Sequence, residues 1–135
     1  MEYIFVGAGG ILGAIVRYLI TVYFTTHNPM SFPIETLAIN ILGSFLLTFI
    51  TNILIDEYRL IFYVKLGVTT GFIGAFTTFS TFSMETINMI LNGKIFNAFL
   101  YIFLSIAGGL FMSYAGFYSA DKIFNLIKKM GENYE

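Results

Sequence analysis

Residues 74–83 read GAFTTFSTFS, a stretch in which hydroxyl side chains alternate with phenylalanine rings. Hydroxyls donate hydrogen bonds, and the edge of an aromatic ring is electropositive whereas its face is electronegative. Donors and ring edges together suit a small, strongly hydrated anion, although rings of this kind more often form packed or lipid-facing apolar surface. On a continuous helix, spacings of four, three and three residues would align the rings in one stripe of Phe72, Phe76, Phe79 and Phe82.

The same stretch is a weak helix former. Gly71 and Gly74 have low helix propensity, and the threonines that follow carry hydroxyls that compete for backbone hydrogen bonds. If the helix unwinds here, carbonyls between Gly74 and Thr77 lose their intrahelical partners. Free carbonyls at the centre of a membrane are ligands for a hard cation. The sequence therefore predicts a helix break with main-chain oxygens available to a cation.

Other polar residues lie inside apolar stretches. Asn40 carries amide donors that need partners in dry surroundings, and Tyr101 and Ser105 share a helical face. These three either line a polar path or bond to a neighbouring helix. Arg17 is costly at its depth unless it faces water or a partner, and its field would concentrate anions at a pore mouth. The alternative is a snorkelling arginine or one paired with Glu85.

Four apolar stretches must position these residues, covering about 3–25, 34–55, 61–91 and 95–120. Each is long enough, at ~1.5 Å per residue, to cross a ~30 Å hydrocarbon core. The connections are short and carry the turn signals Asn28-Pro29 and Asn92-Gly93, so neighbouring helices run antiparallel. We predict one domain, 1–135, an all-α membrane protein with four transmembrane helices of which the third is broken. A short tail, 122–135, is cytoplasmic or lies along the membrane surface.

Composition agrees with this fold class. Of 135 residues, 57% are hydrophobic and 11% are charged, and the mean hydropathy is +0.80, which is too apolar for a soluble domain of this size. The chain has no cysteine and a single histidine, so we expect no enzyme. A net charge of −1 offers nucleic acid no electrostatic footprint. We expect a multi-pass membrane protein.

Glycines four residues apart occur in the first and third stretches, as Gly9 with Gly13 and Gly67 with Gly71. Small residues at this spacing let helix backbones approach closely within lipid. Because four helices form a thin bundle for enclosing a path, the pattern favours an oligomer over packing within one chain.

Basic residues are distributed unevenly between the two sides. Leaving aside Arg17, which lies within the first stretch, one side carries five and the other carries only Lys94; the five are Arg59, Lys65, Lys122, Lys128 and Lys129. The positive-inside rule predicts that both chain ends lie in the cytoplasm.

Three motifs, in their order and spacing, resemble those of the CrcB or Fluc family of fluoride channels. They are GGILGAIVRY at 9–18, NILG at 40–43 and GFIGAFTTFSTFSMET at 71–86. The resemblance covers essentially the whole chain. It implies an antiparallel, dual-topology dimer with two fluoride pathways and a central sodium ion that is not transported. It also implies passive export, in which the membrane potential expels fluoride that entered as neutral hydrofluoric acid.

The resemblance further implies roles for single residues. Sodium would be held by the main-chain carbonyls of Gly74 and Thr77, and Arg17 would act in vestibule electrostatics or in structure. Tyr101 and Ser105 match a polar track on the fourth helix, which often continues with a hydroxyl where this chain has Gly109. The residues implied to line the ion pathway are Asn40, Phe79, Ser80, Phe82, Tyr101 and Ser105.

One departure concerns the partner subunit. A chain that inserts in both orientations should carry balanced charges, whereas the basic residues here divide five to one. The hypothesis is that this chain prefers one orientation and pairs with a paralogue instead of itself.

Two other functions stay open. A small proton-coupled multidrug-type exporter needs a deep carboxylate, which the first stretch lacks beyond Glu2, and a structural membrane subunit would use its hydroxyls only to join helices.

Overall fold

The computed structural model describes residues 2–27, 32–53 and 59–132, and all regular elements in these ranges are helical. The prediction of an all-α chain is confirmed. The predicted Asn-Pro turn at 28–29 lies outside the described residues. A third helical segment, 59–91, consists of four consecutive pieces. In chain order the elements are α1 (Glu2–His27), α2 (Ile34–Ile53), α3 (Arg59–Leu66), a π-helix (Gly67–Ile73), α4 (Gly74–Phe76), α5 (Phe79–Leu91) and α6 (Ile95–Glu132).

Three of the helices are long and apolar enough to cross a membrane, over Glu2–Thr26, Ile34–Ile53 and Ile95–Leu126. The third helical segment is divided into shorter pieces. At ~1.5 Å per residue, the 38 residues of α6 span roughly 57 Å, well beyond a ~30 Å hydrocarbon core. Residues 122–132, predicted as a tail, continue α6 and do not form a separate helix along the membrane surface.

Glycines pack α1 against the third helical segment. A Cβ added to Gly9 would overlap the carbonyl oxygen of Gly67, and one added to Gly13 would overlap the carbonyl oxygen of Phe72. Cβ atoms on Gly67 and Gly71 would in turn lie 2.9 and 2.5 Å from carbonyl oxygens of α1. The two backbones therefore touch without intervening side chains. Both glycine pairs are used inside the chain, so their spacing does not support the oligomer that we expected from it.

The π-helix changes the register of the residues after it. Its hydrogen bonds run from i to i+5, so it holds an additional residue per turn compared with an α-helix. The condition for a single stripe of phenylalanines, a continuous α-helix, is therefore not met. Phe72 stacks on Phe76 at a centroid distance of 5.8 Å, and Phe79 pairs with Phe82 at 5.9 Å. Phe76 is 2% exposed whereas Phe79 is 80% exposed, so the two pairs face different surroundings.

A tight turn joins α5 to α6, as the Asn92-Gly93 pair predicted. Gly93 has a φ of +74°, which a residue without a side chain adopts without strain, and its N–H donates to the Ile90 carbonyl at 3.0 Å. The turn brings α5 back against α6, where Met89, Ala98 and Tyr101 form a buried cluster. The two helices therefore present side chains to each other at equal distances from the turn.

Replacing Gly13 by alanine should destabilise the protein by about 1–3 kcal/mol, the usual cost of overpacking. The added methyl group would meet the Phe72 backbone, which cannot rotate away. Gly7→Ala is the matched control, because nothing lies within 4 Å of a Cβ at this position of the same helix. Unfolding in detergent, followed by circular dichroism, measures the difference. Equal stability of the two variants would contradict the proposed contact between backbones.

Candidate functional site

The third helical segment is interrupted at two residues. Thr77 (φ −75°, ψ 156°) and Thr78 (φ −145°, ψ 116°) have extended backbones between α4 and α5. The interruption lies at the C-terminal end of the region predicted to unwind, since Gly74–Phe76 is still helical. Inside a membrane the backbone groups released by such an interruption must find partners in the protein.

Asn40 of α2 provides those partners at Thr78. The Thr78 N–H donates to Asn40 Oδ1 at 2.9 Å, and Asn40 Nδ2 donates to the Thr78 carbonyl at 3.0 Å. The side-chain amide thus pairs with the extended backbone as a neighbouring β-strand would. Of the two uses considered for Asn40, bonding to a neighbouring helix is observed, and the residue also borders a groove described below.

The hydroxyls of the interrupted region serve mostly as local partners. Thr78 Oγ1 accepts the Thr81 N–H at 3.2 Å, which makes Thr78 the N-cap of α5, and donates to Thr81 Oγ1 at 2.8 Å. Thr77 and Ser83 each donate at 2.9 Å to a carbonyl one turn earlier. Ser80 is exposed on the first turn of α5, with its Oγ 3.4 Å from Thr78 Oγ1. These contacts stabilise the interruption and the start of α5.

Two carbonyl oxygens remain without partners as a result. In a continuous helix the N–H groups of Thr78 and Thr81 would bond to the carbonyls of Gly74 and Thr77. Here those N–H groups donate to Asn40 Oδ1 and Thr78 Oγ1 instead. Within the described ranges, neither the Gly74 nor the Thr77 carbonyl receives a hydrogen bond. These oxygens are the kind of ligand that a hard cation prefers. The described residues hold no cluster of three or more histidine, cysteine or acidic side chains that could bind a metal ion.

A groove of about 420 Å³ lies between α2, the third helical segment and α6. It is lined by Gly74 and Thr77, by exposed Phe79 and partly buried Phe82, and by Ser105, whose Oγ is buried without a hydrogen-bond partner. The structure therefore brings together most of the predicted site. The predicted residues that line the groove are Asn40, Gly74, Thr77, Phe79, Phe82 and Ser105.

Tyr101 lies beside the groove and is linked to it through Phe82. The two ring centroids are 5.1 Å apart, and Tyr101 is fully buried. Its hydroxyl donates to Glu85 Oε2 at 2.7 Å, and Thr36 Oγ1 donates to Glu85 Oε1 at 2.9 Å. The Glu85 carboxylate is therefore partly buried and bound by two hydroxyls. The sequence could have indicated the contact between Glu85 and Tyr101, since both residues are equally far along the chain from Gly93 at the turn.

Arg17 does not enter the groove. It borders a second cavity of about 230 Å³, which it shares with Thr21, Thr36, Thr78 and Thr81. Its Nε is buried and has no hydrogen-bond partner in the described part of the chain. The pairing with Glu85 that we considered is not formed, because hydroxyl groups occupy that carboxylate. Thr78 borders both cavities, so the guanidinium lies on the other side of the interruption from the groove.

Comparison with known proteins gives a consistent family. Residues 4–117 match the sequence model of the family described as CrcB-like protein, Camphor Resistance (CrcB). A Bacillus cereus protein named Fluoride-specific ion channel FluC 1 is 47% identical over 127 residues, covering 94% of this chain and 86% of the relative. A protein of the same name from Desulfitobacterium hafniense is 46% identical, and the match covers 78% of this chain and 90% of the relative. Fluoride-specific ion channel FluC 2 from Listeria innocua is 42% identical, and the match covers 83% of this chain and 84% of the relative.

Replacing Asn40 by alanine should destabilise the protein markedly, because both backbone groups of Thr78 would lose their partners. An unsatisfied buried group costs about 1–3 kcal/mol, so we expect a loss of at least ~2 kcal/mol. Asn52→Ala is the matched control on α2, since its exposed amide bonds only to a carbonyl of its own helix at 2.6 Å. Unfolding free energies in detergent decide the matter. Similar losses in both variants would show that the Asn40 pairing does not hold the interruption.

Proposed function

The chain belongs to the CrcB family of fluoride channels, and we propose that it exports fluoride passively from the cytoplasm. It is a multi-pass protein of the bacterial cell membrane and not an enzyme. The observation that carries the proposal is the groove at the helix interruption, which is lined by Ser105, whose hydroxyl has no partner, and by two phenylalanine rings. The names of these relatives describe fluoride-specific ion channels and support the same substrate.

Passive transport is sufficient for export. Hydrofluoric acid is a weak acid that crosses membranes in its neutral form and dissociates in a near-neutral cytoplasm. A membrane potential that is negative inside drives the anion outward with about 2.3 kcal/mol per 100 mV. At ~1.4 kcal/mol per tenfold, this sustains a concentration ratio of about 50. A selective path across the membrane therefore lowers cytoplasmic fluoride without an energy source of its own.

The groove offers replacements for the water around fluoride. Asn40 Nδ2 has two hydrogens, of which one is used by the Thr78 carbonyl, so the other is available. The Ser105 hydroxyl is a second donor. Phe79 and Phe82 are tilted 35° to each other, which allows ring edges to face an anion between them. We propose that these residues form the anion path, with Ser80 and Tyr101 flanking it and Arg17 attracting anions from the second cavity.

A sodium ion fits the carbonyl oxygens of Gly74 and Thr77. Both have lost their intrahelical donors and both residues line the groove. Two oxygens are too few for a hard cation, which takes six or more ligands or completes its shell with water. An inverted second subunit would bring the number of protein oxygens to four. When bound, sodium supplies a fixed positive charge that offsets these partial negative charges and joins the subunits.

The second subunit is either another copy or a paralogue, and the uneven distribution of basic residues favours a paralogue. The groove supports the need for a partner, because Phe79 is 80% exposed although it lies beside the interruption. A single chain thus provides one wall of a path. We propose an antiparallel pair in which the grooves of the two subunits face each other.

Fluoride efflux from proteoliposomes tests this function. Liposomes loaded with potassium fluoride should release fluoride once valinomycin permits potassium to follow, and chloride should be retained. The release should not depend on a proton gradient, which distinguishes a channel from a proton-coupled exporter. Phe79→Ile and Phe82→Ile should each lower the release by tenfold or more, because they keep the apolar volume but remove the ring edges.

Matched controls separate the outcomes of that experiment. Phe99→Ile replaces an exposed ring of α6 outside the groove and should leave the release unchanged. Release by the chain alone would identify a second copy as the partner, and release only after co-expression with a paralogue would identify the mixed pair. Absence of release from folded protein in both cases would overturn the proposed function. Full release by both groove variants would show that the two phenylalanine rings serve only in packing.

Replacing sodium by N-methyl-D-glucamine should weaken the pair of subunits, because the large organic cation cannot enter a cluster of carbonyls. We expect the mass measured by light scattering in detergent to shift from dimer toward monomer at low protein concentration. Thr77→Ser should preserve the sodium response, since the proposed ligand is the main-chain oxygen. A dimer equally stable in both cations would contradict the sodium site.

A further inference from the structure

Two helices contribute hydroxyl groups to the same part of the groove. Ser105 belongs to α6 and Ser44 belongs to α2, and both line the groove. Gly109 follows Ser105 by four residues and therefore lies one turn further on the same face of α6. A Cβ built on Gly109 would lie 3.5 Å from Ser44 Oγ. The hydroxyl of Ser44 thus lies beside the place where α6 has no side chain.

Helix packing does not explain the glycine at 109. A Cβ atom built on Gly116 would lie 2.5 Å from the Phe45 carbonyl, so close packing against α2 requires this glycine, and one built on Gly108 would displace the Ile41 side chain, 2.6 Å away. At Gly109 the corresponding distance of 3.5 Å is an ordinary van der Waals contact. A small side chain would fit there without moving either helix. Gly109 therefore leaves space in front of Ser44.

The Ser44 hydroxyl can be redirected at low cost. It donates to the Asn40 carbonyl at 2.9 Å, which is the carbonyl one turn earlier on its own helix. In an α-helix that carbonyl also accepts the Ser44 N–H, so it keeps a partner when the hydroxyl turns away. An anion in the groove would be a stronger acceptor than a shared neutral carbonyl. Ser44 can therefore donate to an anion without leaving a buried group unsatisfied.

We propose that Ser44 is an anion-binding residue of the path, and that its hydroxyl on α2 takes the place of a side chain at Gly109 on α6. The inference rests on the proposed function, because it assigns a further donor to the same groove. The donors then continue from Ser105 to Ser44 across two helices instead of along one. The ligand is a small anion with the hydrogen-bonding properties of fluoride.

The test is rescue between helices, measured as fluoride efflux from proteoliposomes. Ser44→Ala should lower efflux about tenfold or more, since one hydrogen bond to a charged group is lost. Ser44→Ala combined with Gly109→Ser should restore efflux to within about threefold of the original chain, because the new hydroxyl enters the vacated space at comparable hydrogen-bond strength. A purely structural role of Ser44 would not be rescued by a residue on another helix.

Thr48→Ala is the matched control. Thr48 lies one turn after Ser44, and its hydroxyl makes the same kind of bond to a carbonyl of its own helix, at 2.8 Å, but it does not line the groove. This variant should keep full efflux. Should Ser44→Ala fail to fold, Ser44→Cys replaces it, since a thiol has similar volume but is a weak donor.

Two results would overturn the inference. One is full efflux in Ser44→Ala or its cysteine counterpart, and the other is a double variant that is no more active than the single one. Failure of the proposed function is recognised separately, because the unsubstituted chain would then release no fluoride, either alone or with a paralogue, before any variant is compared.

Discussion

The two hydrogen bonds between the Asn40 amide and the Thr78 backbone determine what the third helical segment can do. Lipid provides no water to a backbone that leaves the helix, so each released group needs a partner in the protein. By taking the Thr78 N–H, Asn40 also removes the donor that would otherwise bond to the Gly74 carbonyl. A single side chain on α2 thus stabilises the interruption and frees an oxygen beside it. The start of α5 at Phe79, and with it the direction of its rings, follows from the same contact.

Local features of the fold could be predicted from the sequence because they depend on neighbouring residues. Hydropathy indicated the membrane-spanning helices and Asn92-Gly93 indicated the turn, because each feature depends on the residue types within one short stretch of sequence. The weak helix at Gly74 to Thr77 was located to within a residue or two for the same reason. The phenylalanines form no single stripe, because that alignment requires an unbroken α-helix. A π-helix and two extended residues change the register between Phe72 and Phe82.

Contacts between distant residues were harder to anticipate. The glycine pairs predicted close helix contact correctly, but not that the partner would be α1 of the same chain, because the spacing is the same for either partner. Most of the proposed pathway residues share one groove, whereas Arg17 lies behind the interruption. The Glu85 carboxylate was missed because its partners, Thr36 and Tyr101, come from two other helices. Burial of that kind depends on how the helices are arranged, which no single segment encodes.

The order of Asn40 and Thr78 along the chain has a consequence for biosynthesis. Chains are made from the N-terminus, so α2 leaves the ribosome 38 residues ahead of Thr78. The amide can therefore enter the membrane before the interrupted segment does, and the extended backbone then has a partner to pair with. With the reverse order, two peptide groups would wait in hydrocarbon, each at a cost of several kcal/mol. The sequence thus places the partner before the residue that needs it, and insertion into the membrane can proceed in the order of translation.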